Sequence, residues 1–152
     1  MSDMRKEIIM AALGEIKDYI YENKSLVLAT VDEAGKPQIR HIGGYTIDGK
    51  DILFSTGKDT DKTREIANNN NVALLFQHEG QEAPKNITLY GKARKLDEKE
   101  TAVAVELIKK RRPQLRYTPE TNIIYRVESE SVKVLDFSKE DKQVVFPASE
   151  LA

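Results

Sequence analysis

Cysteine is absent from this 152-residue chain, which excludes a thiol nucleophile, a thiolate metal site, an iron–sulfur cluster and a disulfide scaffold. There are two histidines, His41 and His78. They show no ligand spacing, so a tight zinc site is not expected and no metal is assigned. No apolar run approaches the roughly 20 residues of a membrane span. Residues 1–7 carry no signal-peptide core. The expectation is a soluble, cytoplasmic protein with no membrane partner. Excess charge is missing too: 24 Lys and Arg oppose 25 Asp and Glu, leaving a formal charge of −1. No global field therefore draws the chain to nucleic acid, and any ligand charge must be met locally. A chain of this length can bury about two-thirds of its unfolded surface in one core. One domain is expected over residues 1–152.

What is present is a succession of short strand signals flanked by helical ones. Between Met4 and Glu22, Ile8, Ile9, Ala12, Leu13, Ile16, Tyr19 and Ile20 recur at helical spacing, with Ser2 or Asp3 as cap. A helix within residues 1–22 follows. Strands are expected at Leu26 to Val31, Gln38 to Tyr45, Ile52 to Ser55, Val72 to Gln77, Asn86 to Leu96, Thr121 to Val127 and Ser131 to Phe137. Asp48-Gly49 is a hairpin signal, because both types tolerate positive φ. Gly91 marks a bend or a close backbone approach inside a strand. Thr60 to Asn68 and Asp97 to Lys110 read as helices, the second capped by Asp97 and stopped by Pro113. Residues 138–152 lack periodicity and are expected to form an irregular tail. Strands in meander order with peripheral helices point to a mainly β, α+β fold: an antiparallel barrel rather than a βαβ sheet.

The residues that could carry chemistry lie at strand ends. Arg40, the hydroxyls of Ser55 and Thr56, and Lys62 together offer what a phosphate dianion needs, two cations and neutral donors. Lys62 also enters a helix whose first amides favour anions. Alone, Arg40 reads as a strand-edge arginine and Lys62 as a solvated lysine; their joint placement makes the case. Gly43-Gly44 within a strand suits a flat ligand against bare backbone, or a plain β-bulge. His41 neighbours Arg40 and should face the other way, as an interface, haem-contacting or hydrogen-bonded structural residue. The basic run Lys109 to Arg112 ends a helix without interleaved aromatics, so dipole compensation is preferred to nucleic-acid binding.

The order and spacing of Leu28-Ala-Thr-Val-Asp-Glu-Ala-Gly-Lys-Pro-Gln-Ile-Arg40, Ile52-Leu-Phe-Ser-Thr56, Lys62 to Phe76 and Leu89-Tyr-Gly-Lys-Ala-Arg94 resemble the pyridoxamine 5′-phosphate oxidase-like split barrels. The likeness is to their short bacterial members, the general stress proteins. It implies an FMN-binding split barrel, a homodimer with flavin between subunits and a small-molecule redox substrate. By the same resemblance Arg40, Ile42, Gly43, Gly44, Tyr45, Ser55, Thr56, Lys62 and Asn86 correspond to flavin-contacting positions. Asp61 stands where a basic residue is usual, with Lys58 as a compensating cation. Tyr45 replaces a lysine of the true oxidases, and Asn70-Asn71 replaces an asparagine–proline pair. The chain has no tryptophan, and Thr121 to Phe137 offers no counterpart to the segment that closes over the vitamin. The expectation is an FMN-dependent oxidoreductase of unknown substrate that is not a pyridoxamine phosphate oxidase. The alternatives are a non-catalytic flavin-binding protein, or a haem- or deazaflavin-binding one.

Overall fold

The computed structural model describes residues 3–82 and 84–152, with side chains from Ala12 onward; the capping role expected of Ser2 or Asp3 and the side chains of Ile8 and Ile9 lie outside that description. The elements are α1 (Asp3–Glu22), β1 (Leu26–Val31), β2 (Pro37–Ile42), β3 (Tyr45–Asp48), β4 (Asp51–Gly57), α2 (Asp61–Asn68), β5 (Asn71–Phe76), β6 (Lys85–Lys95), α3 (Glu98–Arg111), β7 (Asn122–Asp136) and β8 (Gln143–Pro147), closed by a 3₁₀ turn at Ala148–Leu151. The strands form one antiparallel sheet in the order β2-β1-β5-β6-β7-β4-β3, with β8 on the far half of β7. It curls into a half-barrel with three helices, an α+β split barrel.

Alternation decides which face is core. In β1, Leu26, Leu28 and Thr30 are buried and the residues between them are not. The same face of the sheet carries Leu74, Phe76, Ile87 and Leu89, and packs Tyr19 and Ile20 of α1. Full burial of each such side chain is worth about 1.5–3 kcal/mol. β4 is buried on both sides: Phe54 joins this core, whereas Leu53 joins a second one with Ile124 and Ala104, Val105 and Ile108 of α3. α3 starts with a capping box in which Asp97 accepts from the Glu100 amide at 2.8 Å.

Three expectations are corrected. The strand expected at Gln38 to Tyr45 is two strands, because the chain turns at Gly43-Gly44, where the Tyr45 amide donates to the Gly43 carbonyl at 3.1 Å. Thr121 to Val127 and Ser131 to Phe137 are one strand, β7. Its register against β6 slips between Tyr90 and Gly91, from Ser131 to Ser129, and this bulge absorbs the polar stretch that looked like a break. The tail is ordered: β8 pairs Val144 with Val134 and Phe146 with Val132, and Ala148 and Leu151 are buried against the barrel. Gly91 does mark a close approach, since a Cβ there would lie 2.4 Å from the Glu128 carbonyl oxygen.

Candidate functional site

The pairing of Leu28 with Arg40 puts the Arg40 side chain on the core face of β2, where α2 covers the end of the barrel. Its guanidinium donates from Nη1 to Thr30 Oγ1 at 2.6 Å and from Nη2 to Glu65 Oε1 at 2.8 Å. Thr30 Oγ1 donates to the same Glu65 oxygen at 2.6 Å. Of its five N–H donors, the Nε–H and one Nη2 N–H keep no partner among the described residues. Lys62 lies three residues before Glu65, on the same face of α2. Burial first, and then the Arg40 charge, push its ammonium below the ordinary lysine value. Arg40 and Lys62 therefore converge, with Glu65 offsetting one of the two charges. Glu65 and Thr30 escaped sequence reasoning, because their roles depend on α2 packing against β1.

The start of α2 adds donors. Thr60 occupies the N-cap position, but its hydroxyl donates back to the Gly57 carbonyl at 3.2 Å and caps nothing. The first helical amides are left for another acceptor. Asp61 is exposed and ion-paired with Arg64, yet its charge still reaches Lys62 and acts on it in the direction opposite to Arg40's. Lys58 instead lines a cavity of about 460 Å³ with Lys95, Asp97 and Tyr117, and it is not among the charges acting on Lys62.

Two expected groupings are divided. Ser55 and Thr56 are neighbours on a strand and point to opposite faces, Ser55 with Leu53 towards α3 and Thr56, 7 % exposed, with Phe54 towards the barrel. Asn86 shares the outer face of β6 with Thr88 and Tyr90, opposite the buried Ile87 and Leu89. It lies three strand spacings from β2, roughly 14 Å along the sheet. Arg40 and Asn86 thus occupy opposite faces and cannot meet one ligand within a single chain.

At Gly43-Gly44 the backbone is not bare. A Cβ at Gly43 would lie 2.9 Å from Arg112 Nη1, and one at Gly44 would lie 2.9 Å from Leu115 Cδ1. The chain's own segment after α3 uses the space that glycine leaves. The carbonyls are engaged as well: Gly43 O accepts from Arg111 at 3.2 Å and Arg112 at 3.4 Å, Gly44 O from the Ser55 amide at 2.8 Å, and Tyr45 O from Arg111 at 3.0 Å. The Gly43 and Gly44 N–H groups have no partner among the described residues. The basic run closes the last turn of α3, as the dipole reading expects, and two of its members, Arg111 and Arg112, also reach these carbonyls. Tyr45 is buried, and burial pushes its phenol up to about 12.

His41 is exposed on the outer face, its Nδ1 3.3 Å from Ser25 Oγ. His78 stacks on Tyr19 with centroids 3.8 Å apart, and its Nε2 meets the Tyr19 carbonyl at 2.9 Å. Both line one cavity of about 500 Å³ with Lys24, Gln77 and Gln81. Among the described residues no cluster of three or more His, Asp or Glu could hold a metal, and no helix is long and apolar enough to cross a membrane.

An antiparallel split barrel with one cation on β2 and another at the start of α2 defines a class, and comparison with known sequences identifies it. The family profile of pyridoxamine 5′-phosphate oxidase matches residues 12–134, and the chain belongs to that family. It is 36% identical over 80 residues to the pyridoxine/pyridoxamine 5′-phosphate oxidase of Burkholderia thailandensis, a match covering 53% of this chain and 36% of that protein. The chain thus matches about a third of that oxidase's length. Its fold is similar to a Clostridium acetobutylicum protein related to general stress protein 26 of B. subtilis, with a TM-score of 0.72, 18% identity, and 93% and 98% of the two chains covered. It is also similar to a heme binding protein of Mycobacterium smegmatis, with a TM-score of 0.71, 14% identity, and 91% and 59% covered.

Proposed function

We propose that this chain is an FMN-binding oxidoreductase, acting as a homodimer on a small-molecule substrate other than pyridoxamine 5′-phosphate. The observation that carries the reading is the polarity of β2. Arg40 and Lys62, with the uncapped start of α2, offer an anion site at one end. Three residues on, roughly 10 Å along an extended chain, Gly43 and Gly44 present two unpartnered N–H donors. A phosphate, a ribityl chain and the acceptor edge of an isoalloxazine fit that order of groups. The fit is by donors and cations and not by a bare glycine cradle. Bound FMN would supply the electron-transfer chemistry; the protein would supply orientation and electrostatics.

The dimer is supported by the outer sheet face. Ile39, Ala29, Ala73 and Tyr90 form one row across β2, β1, β5 and β6, with Ile39 72 % exposed. A second copy on this face would cover the row and bring Asn86 to the flavin of its partner. The test is the absorption spectrum of purified protein, followed by titration with FMN and riboflavin. FMN should bind more tightly, and Arg40→Ala should weaken FMN about ten- to a hundredfold and riboflavin much less, as expected from about 1.5–3 kcal/mol for a charge-assisted bond. Equal losses for both ligands would refute a phosphate role. Light scattering should give a dimer that Ile39→Lys dissociates.

Haem is the second reading, favoured by the single cavity that both histidines line. A Soret band on haem titration, lost on replacing His41 or His78, would support it over flavin.

A further inference from the structure

We propose that Arg111 is the positioning residue of the ring end of this site and a fixed positive charge there that favours the reduced over the oxidised flavin; the inference rests on the flavin reading above. Arg111 Nε donates to the Tyr21 carbonyl at 2.8 Å, Nη1 to Gly43 O at 3.2 Å and Tyr45 O at 3.0 Å, and Nη2 to the Asn23 carbonyl. Its Cζ lies 3.7 Å from the centroid of the buried Tyr45 ring. One side chain therefore ties the end of α1 and the chain after it to the turn between β2 and β3.

Every partner of Arg111 is a carbonyl dipole or a ring face, and no carboxylate lies within ion-pair distance of it among the described residues. Dipoles solvate a charge without cancelling it, so the site keeps a net positive charge. Burial pushes its pKa down, as expected of a cation without a counter-ion. The carbonyl clamp has a second effect. With the oxygens of Gly43, Gly44 and Tyr45 engaged, the turn shows a ligand only the N–H groups of Gly43 and Gly44. A ligand edge there meets donors backed by a cation.

An isoalloxazine edge changes its charge in the way such a surface discriminates. The oxidised ring is neutral. Two electrons and one proton leave one negative charge on the ring. A fixed cation in a half-buried site stabilises the second state more than the first. Arg112, which reaches the Gly43 and Lys24 carbonyls at 3.4 Å, adds to the same field from a more solvated position.

The experiment measures the affinity for oxidised FMN by fluorescence titration and the midpoint potential of the bound flavin by equilibration with a redox dye. It is run on wild type, Arg111→Gln and Arg111→Lys, each checked for folding by circular dichroism. Arg111→Gln should lose at least tenfold of the preference for the reduced ring, a fall of about 30 mV for a two-electron couple. Arg111→Lys should lose the clamp and some affinity for both states, yet keep the potential within that tenfold. A purely structural clamp predicts equal losses of oxidised and reduced affinity with an unmoved potential in Arg111→Gln, and that result overturns the proposal. Should Arg111→Gln fail to fold, Arg111→Lys and the wild type carry the test. A full tenfold fall in the lysine variant, or a wild type that binds reduced FMN no more tightly than oxidised, overturns the proposal. Wild-type protein that binds no flavin overturns the flavin reading and this inference together. Flavin bound with an unmoved potential overturns only this one.

Discussion

Replacing Glu65 by glutamine should tighten FMN binding about tenfold and leave riboflavin unchanged. Glu65 Oε1 accepts from Arg40 Nη2 at 2.8 Å and from Thr30 Oγ1 at 2.6 Å. A glutamine amide oxygen can accept both bonds, so the guanidinium keeps its place while one negative charge leaves. The local balance loses one carboxylate, leaving the two cations with only the exposed Asp61, itself paired with Arg64, against them. A phosphate on the free Nε edge of Arg40 would lie about 6 Å from the Glu65 carboxylate. With an effective dielectric of about 40, between the value near a protein surface and that of water because the phosphate would sit at the solvent edge of the Arg40–Glu65 pair, the repulsion removed is about 1.4 kcal/mol per unit of phosphate charge. That is about a tenfold change in affinity. The second phosphate charge would add to this, and physiological salt, with a Debye length of about 8 Å, offsets much of the addition. Fluorescence titration at low and physiological salt, with riboflavin in parallel, measures the effect. Glu65→Gln weakening FMN as much as Arg40→Ala does would show that the carboxylate is needed to hold the arginine, and would refute the electrostatic reasoning. An equal gain for riboflavin would refute it too.

Lys62→Met should weaken FMN about ten- to a hundredfold while raising the thermal stability of the flavin-free protein at neutral pH. Burial and Arg40 hold the Lys62 ammonium below its ordinary value, so the folded state binds its proton less tightly than the unfolded state. That destabilisation is present at pH below the folded pKa and fades as pH rises past the ordinary lysine value; a stability gain that persists unchanged there would sink the argument. Gly91→Ala should cost about 1–3 kcal/mol or more, because its Cβ meets the Glu128 carbonyl at 2.4 Å and the Ser129 Cα at 3.0 Å, both backbone. Thermal unfolding reads this as about 2–4 °C per kcal/mol, and an unchanged midpoint would show that the bulge can shift freely. FMN-loaded protein should not oxidise pyridoxamine 5′-phosphate, whose dianion needs a second basic cluster. Of the alternative cluster Arg111, Arg112 and Arg116, the first two are engaged with backbone carbonyls; peroxide release on turnover of that substrate, abolished by replacing the three, would restore the oxidase assignment.

Where side-chain alternation was unbroken, the sequence predicted the elements to within two residues. β1, β4, β5, β6, α2 and α3 are cases, each bounded by a turn or cap whose residues have a local reason to be there. Failures came where a long-range partner decides. The polar run from Glu128 to Ser131 looks like a loop because the bulge opposite Gly91 takes up a residue that only β6 reveals. Val144, Val145 and Phe146 show no alternation and become a strand by pairing with β7. The phosphate candidates Arg40 and Lys62 were read from spacing and do converge. Glu65, which sets their charge, sits on an ordinary polar helix face until α2 is placed on β1. The run Lys109 to Arg112 was visible, but a helix end is an available explanation for any basic run, and only the turn between β2 and β3 reveals the carbonyls these arginines serve.

The opposite facing of Arg40 and Asn86, on which the proposed division of the site between two chains rests, was within reach of parity alone. Leu26, Leu28 and Thr30 are the inward positions of β1, and antiparallel pairing of Leu28 with Arg40 makes Arg40 inward too. In β6, Ile87 and Leu89 are inward, so Asn86 is outward. A curved sheet does not bring its two faces together, whatever its curvature. If Asn86 and Arg40 do serve one flavin, the outer face of one copy must lie over the inner, α2 end of another. The row Ile39, Ala29, Ala73 and Tyr90, on the same outer face and reaching β6 four residues along from Asn86, is the part of this chain suited to hold such a copy in place. Ile39→Lys should therefore weaken FMN binding and dimerisation together as protein is diluted. FMN affinity independent of protein concentration in that variant would mean that one chain completes the site.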